Sequence, residues 1–156
     1  MNTLYKKETL IFAQITEVLD MLQRIQTIYL FIAALISGVL IFFVSLWSDN
    51  AGESVFVEDV LLAMGLFLGS AALSLISIFL FKNRKLQFVL GRINILLNFI
   101  LLGVFVYWSL IVPGEMKISE KGIGMFIPVL SIVFLVLANK AIKKDEDLVK
   151  SVDRFR

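Results

Sequence analysis

Charge is absent from four long stretches of this chain, and the polar positions gather in the short segments between them. The first charge-free run, Ile28 to Leu46, is about 19 residues, or about 28 Å as a helix, which matches the hydrocarbon thickness of a bilayer. It predicts a spanning helix. Val60 to Phe81 predicts a second, and Ile93 to Val112 a third, closed by the helix-stopping pair Pro113 and Gly114. A fourth run, Ile123 to Ala138, is shorter and carries Pro128 near its start. It reaches full length if Asn139 is drawn in and Lys140 snorkels, giving a span over 123–139.

Basic residues orient these runs. Lys and Arg number three before the first run, none in the next segment, then four, two and six. Alternate sides therefore hold 13 and 2, and the positive-inside rule puts both termini and the middle loop in the cytoplasm. The segment Ser48 to Asp59, with Asp49, Glu53, Glu58 and Asp59 and no basic residue, then faces outward. Small residues after the first run (Ser48, Ala51, Gly52) would suit a cleaved signal peptide, but the run exceeds the usual apolar region of about 7 to 15 residues. An uncleaved span is expected.

Three parts follow. Residues 1–20 form an extension in which Ile11, Ile15, Val18, Leu22 and Ile25 recur at helical spacing, suiting a helix at the membrane interface; a dispensable extension reads equally well, since Met21 begins a good membrane protein by itself. Residues 21–142 hold the four spans. Residues 143–156 form a basic tail with Ala141, Leu148, Val152 and Phe155 on one helical stripe and Glu146 and Lys150 paired one turn apart. That tail either continues the fourth helix outward or lies on the membrane. The fold class expected is an all-α integral membrane four-helix bundle.

Composition removes several functions. Apolar residues make up 59% and charged ones 18%, a balance that belongs to a bilayer when the charges are this segregated. Cysteine and histidine are both absent, so thiolate sites and the commonest acid-base and metal-ligating side chain are unavailable. No nucleophile–base pair or metal-ligand set appears, and we expect no catalytic residue, no cofactor and no metal. A formal net charge of +2, scattered over membrane-flanking segments, does not suit nucleic acid.

Polar residues inside the runs carry the remaining information. Gln87, Gly91, Asn94 and Asn98 share one stripe of the third helix, with Arg92 nearly opposite. Gln23, Thr27, Ala34 and Ser37 align on the first helix, and Gly124, Pro128, Ser131 and Asn139 on the fourth. An amide facing lipid would cost several kcal/mol, on the order of 2 to 7, so these stripes face other helices. Gln23, Thr27, Gln87, Asn94, Asn98 and Asn139 are the expected interhelical cluster or pocket. The second helix has two faces of small residues: Gly65, Gly69 and Ala72 on one, and Ala63, Ser70, Ser74 and Ser77 on the other, which predicts two packed neighbours. Lys82, Arg84, Lys85, Arg92, Lys140, Lys143 and Lys144 form an inner basic surface for anionic headgroups or an acidic partner. Much of this polar pattern is what holding a bundle together requires.

The blocks "MLQRIQTIYL" (Met21 to Leu30), "NRKLQFVLGRINILLN" (Asn83 to Asn98) and "LANKAIKKDEDLVKSVDRFR" (Leu137 to Arg156) resemble an uncharacterised family of small four-span inner-membrane proteins from Bacteroidota. The resemblance begins at Met21 and implies a compartment but no mechanism. Together the readings lead to a non-catalytic accessory or assembly subunit of a larger inner-membrane complex, with a membrane-protein partner or further copies of itself. The alternative is a small homo-oligomeric transporter or channel using the asparagine stripe. Against the alternative, no Asp or Glu stands in any run.

Overall fold

The computed structural model describes residues 25–48, 53–111 and 120–154. Four helices dominate: α1 (Ile25–Gly38), α2 (Leu61–Phe79), α3 (Arg84–Ile111) and α4 (Ile127–Arg154). Each packs against its neighbour in the chain, and α4 closes the ring against α1. The fold is the all-α bundle that the charge-free runs imply, and each helical segment is long and apolar enough to cross a membrane. Large apolar side chains such as Phe31, Leu62, Phe79, Leu96, Phe99, Leu110 and Val133 point outward. A soluble domain could not tolerate so continuous an apolar exterior, whereas lipid requires it.

Boundaries differ from the sequence expectation in two places. The α-helix of the first span stops at Gly38, well before Leu46, and tightens into a 3₁₀ turn at Leu40–Phe43. A Cβ on Gly38 would stand 3.0 Å from that of Ala71, so the glycine lets α1 and α2 close at this point. Beyond it the chain turns extended at Val44 and folds over the bundle, burying Leu46 and Trp47. Apolarity there serves a cap rather than a span. At the other boundary α3 begins at Arg84, not Ile93, because Asn83 accepts from the Leu86 N–H at 3.2 Å and so satisfies an otherwise orphaned helix-start donor. The basic "NRK" segment is thus the head of a helix. Pro128 sits in the first turn of α4, where its missing N–H breaks no helical bond. From there α4 continues to Arg154 without interruption.

Over one end lies a small sheet that the hydropathy pattern does not predict. β1 (Trp47–Ser48) pairs antiparallel with β2 (Ser54–Val55) and with β3 (Glu120–Lys121), in the order β2-β1-β3. This "sheet end" joins the α1–α2 and α3–α4 connections. The opposite "turn end" holds the start of α1, the short α2–α3 turn and the outward run of α4. Gly122 and Gly124 make the cap dense, since a Cβ on Gly122 would stand 2.6 Å from the Leu46 carbonyl and one on Gly124 2.7 Å from the Ser45 oxygen. A ladder of rings descends from the cap: Trp47 on Trp108 at 6.0 Å, Trp108 on Phe105 at 6.1 Å, and Phe105 on Phe67 at 6.1 Å.

Two apolar clusters fill the interior. Ile36, Ile41, Leu46, Phe67, Leu101, Phe105 and Ile127 belong to the larger one, toward the sheet end. Leu30, Ala33, Ile78, Leu135 and Ala138 form the smaller one, toward the turn end. Ser70, Ser74 and Ser77 on α2 and Ser131 on α4 fall between these two, and Ser37 on α1 stands beside Ile36 of the larger one. The core is layered, not uniform.

Candidate functional site

Midway along the bundle, one hydrogen-bonded network takes a residue from each helix. Asn98 on α3 donates through Nδ2 to Ser70 Oγ on α2 at 2.8 Å, and Ser70 donates to Ser37 Oγ on α1 at 3.4 Å. Ser37 Oγ lies 2.9 Å from Ser131 Oγ on α4. Because Ser37 accepts from Ser70, its own proton is available to Ser131, which gives a head-to-tail chain in which each bond polarises the next. Asn94, one turn from Asn98, donates to Ser74 Oγ at 2.8 Å and to the Ser70 backbone carbonyl at 3.0 Å. Asn98 also donates back to the Asn94 carbonyl at 2.9 Å and to Asn94 Oδ1 at 3.2 Å. All six side chains are buried. Interhelical bonds of this kind contribute about 0.6 kcal/mol each in a membrane protein, so the network stabilises the bundle modestly and fixes its register strongly.

A second polar group lies nearer the turn end and behaves differently. Gln26 and Thr27 on α1, Ser77 on α2, Gln87 on α3 and Asn139 on α4 are all buried. Seven of their side-chain atoms have no hydrogen-bond partner among the described residues: both amide atoms of Gln26 and of Gln87, the two hydroxyl oxygens, and Asn139 Oδ1. Asn98 Oδ1 in the network is likewise unpartnered among the described residues. A buried polar group left unmet costs about 1–3 kcal/mol, and native proteins leave very few that way.

Helix geometry explains why these residues share one depth. Gln26 lies eleven residues before Ser37, and Gln87 eleven before Asn98. Eleven residues are about three turns and about 16 Å of rise, so both glutamines return to the inward face at one depth. Gly91 completes the arrangement, because Asn139 lays its amide across the bare Cα there. No charged side chain belongs to either polar group. Arg84 is turned aside, donating from Nη1 to the Asp145 carbonyl at 3.1 Å. Arg92 is exposed, with its guanidinium 4.4 Å from the Phe88 ring centroid.

Thus the structure brings Thr27, Gln87 and Asn139 to one layer and joins Asn94 and Asn98 in the other. Gln23 lies outside the described residues. Ser70, Ser74 and Ser77 face inward, and that one face of α2 meets both of its neighbours. The expected packing of Gly65 within the bundle is corrected, since Gly65 is exposed and a Cβ on it would meet nothing within 4 Å; Gly69 is half-buried and a Cβ there would meet Leu97 Cδ1 of α3 at a contact distance of 3.7 Å. Gly65 looks outward because the serine face already meets both neighbours. Lys82, Lys85, Arg92, Lys140, Lys143 and Lys144 are exposed, with Arg84 half-buried among them. Gln26 is the residue that sequence reasoning missed. Its signal was the three-turn interval to Ser37, shared by Gln87 and Asn98.

Among the described residues no group of three His, Cys, Asp or Glu could hold a metal ion. A groove of about 250 Å³ runs between α3 and α4 toward the sheet end, lined by Leu102, Val106, Leu110, Met125, Phe126 and Val129 among others. Its walls are nearly all apolar and suit hydrocarbon.

Fold and site together define a multi-pass membrane bundle whose polar chemistry is internal and uncharged. The chain belongs to the family described as a domain of unknown function (DUF4293), which matches residues 22–155. No curated protein and no solved structure matches it.

Proposed function

We propose that this chain is a non-catalytic accessory or assembly subunit of a larger complex in the bacterial inner membrane, with both termini in the cytoplasm. The observation that carries the reading is the open glycine face of α2. Gly65 stands on the outer surface with the half-buried Gly69 four residues on, and Gly103 on the adjoining α3 also has open space where a Cβ would be. Small residues at this spacing let another helix's backbone approach closely, which is how spans associate where lipid removes the hydrophobic drive. The polar network supports the same reading, since its donors are taken up between the bundle's own helices. At the turn end, Lys82, Lys85, Lys140, Lys143 and Lys144 stand exposed, suited to anionic headgroups or an acidic partner surface.

A small homo-oligomeric carrier or channel is the second reading, favoured by the unpartnered atoms at the turn end. Phe67, Leu101, Phe105 and Ile127 fill the core toward the sheet end, and a single copy offers a solute no through-route. The first reading is therefore preferred. Its test is a mild-detergent capture of the tagged protein from its native membrane, sized on a native gel, beside Gly65→Leu. The expected result is a stoichiometric larger complex that Gly65→Leu dissolves while leaving the thermal midpoint unchanged. Migration of the unaltered protein alone or as a pure homo-oligomer would overturn it.

A further inference from the structure

Gln26, Thr27, Ser77, Gln87 and Asn139 set buried polar atoms from all four helices toward the turn end of the bundle, and seven of those atoms are unpartnered among the described residues. Their exposures run from 0% for Gln87 to 7% for Asn139, so bulk solvent does not reach them. Buried amides and hydroxyls of this number are met by something, because a bundle does not keep so many desolvated groups unsatisfied. What meets them has to supply both donors and acceptors: each primary amide has an N–H₂ and a carbonyl to satisfy, and each hydroxyl can do either.

Charge narrows the class. No Asp, Glu, Lys or Arg stands among the five, and the nearby Arg84 and Arg92 are engaged with the Asp145 carbonyl and the Phe88 ring. An ion here would lose its hydration and find no counter-charge. A neutral guest meets no such penalty.

Position narrows it further. Ser77 follows Ser74 by one turn of α2, so on that helix the unpartnered group adjoins the network, while on α1 and α4 Leu30, Ala33 and Leu135 stand between the two. Beyond Ser37 and Ser131 the aromatic and aliphatic cluster of Phe67, Leu101 and Phe105 ends the polar interior. Polar side chains therefore run from the turn end to mid-bundle along α2 and α3 and stop there. We propose that these five residues form a buried site for a small uncharged guest that donates and accepts hydrogen bonds, either water molecules or a compact amide-class solute. Such a site is independent of the accessory role and would serve a subunit or a lone protein alike.

The test uses the full chain, unaltered, in lipid nanodiscs, with ¹⁵N-labelled glutamine and asparagine side chains. Magnetisation transfer between those amide protons and water is read first alone, then with urea as the probe solute. We expect the side-chain amides of both Gln26 and Gln87 to exchange magnetisation with water in the urea-free sample. Transfer that persists in urea assigns the guest as water; transfer that vanishes in urea, with saturable shifts of the two amides, assigns an amide-class solute. Both results support the site. Water transfer at fewer than both glutamines in the urea-free sample, with or without a direct Gln26–Gln87 hydrogen bond, overturns it.

Discussion

Asn139 on α4 lays its side-chain amide across Gly91 on α3, so closely that a Cβ at Gly91 would stand 2.9 Å from Asn139 Cγ and 3.0 Å from its Nδ2. The two helices meet at this distance because one residue has no side chain and the other is short and polar. Gly91→Ala should therefore push the amide aside. Overpacking of this sort costs about 1–3 kcal/mol, against about 1 kcal/mol that alanine gains over glycine in a helix. We expect a net loss of about 1 kcal/mol in reversible detergent unfolding, largely recovered in Gly91→Ala/Asn139→Ala. A Gly91→Ala protein more stable than its parent would refute the contact.

Ser70 both accepts from Asn98 and donates to Ser37, while Ser131 stands at the end of the chain. Ser70→Ala should consequently cost more than Ser131→Ala, by about 0.5–1 kcal/mol, because it strands a donor and an acceptor together. A double-mutant cycle of Ser37→Ala with Ser70→Ala, read by the same unfolding assay, should give a coupling of about 0.5 kcal/mol or more. Strict additivity would mean the 3.4 Å bond contributes nothing.

Glycines at the sheet end divide into those that touch backbone and those that touch nothing. Gly122→Ala would set a methyl against the Leu46 carbonyl, which cannot move without breaking β1, and we expect a loss of about 2 kcal/mol or more. Tryptophan emission should shift as well, since Trp47 rests on Trp108 beneath the cap. Gly103→Ala meets open space and should raise stability by up to about 1 kcal/mol through helix propensity alone. If the two substitutions behave alike in thermal unfolding, the cap is not packed as described.

Arg84 joins the first turn of α3 to the far part of α4 through the Asp145 carbonyl. Arg84→Ala should cost about 1 kcal/mol in global unfolding, as for the loss of one half-buried hydrogen bond. Hydrogen exchange should also quicken in α4 around Asp145. Unaltered exchange there would show that the bond does not hold the two helices.

The four apolar helices could be read from the chain because lipid imposes a single requirement, the absence of charge over about 20 residues; three runs meet it outright, and the fourth does so with Asn139 and a snorkelling Lys140. Their ends were less legible. Charge marks where hydrocarbon stops, but helices stop by other rules: α3 starts nine residues before Ile93 at the Asn83 cap, and α1 yields to a 3₁₀ turn after Gly38 while the sequence is still apolar. The asparagine stripe was legible as inward-facing, since an amide has nowhere else to go. Which serine it would meet depends on helix register, and register is set by contacts such as Gly38 on Ala71 that no periodicity encodes. For the same reason α2 offered two candidate faces, and only packing decided that the serines turn in and Gly65 turns out.

The cap sets an order of events. β1 pairs on one side with β2, which is made soon after it, and on the other with β3, which emerges only after α3 has been synthesised. The first hairpin can form early, but Trp47 cannot gain its Lys121 neighbour until the second hairpin has been made. Chains arrested before that point would leave one edge of β1 unpaired at the sheet end, the row of open backbone donors and acceptors that a finished molecule covers.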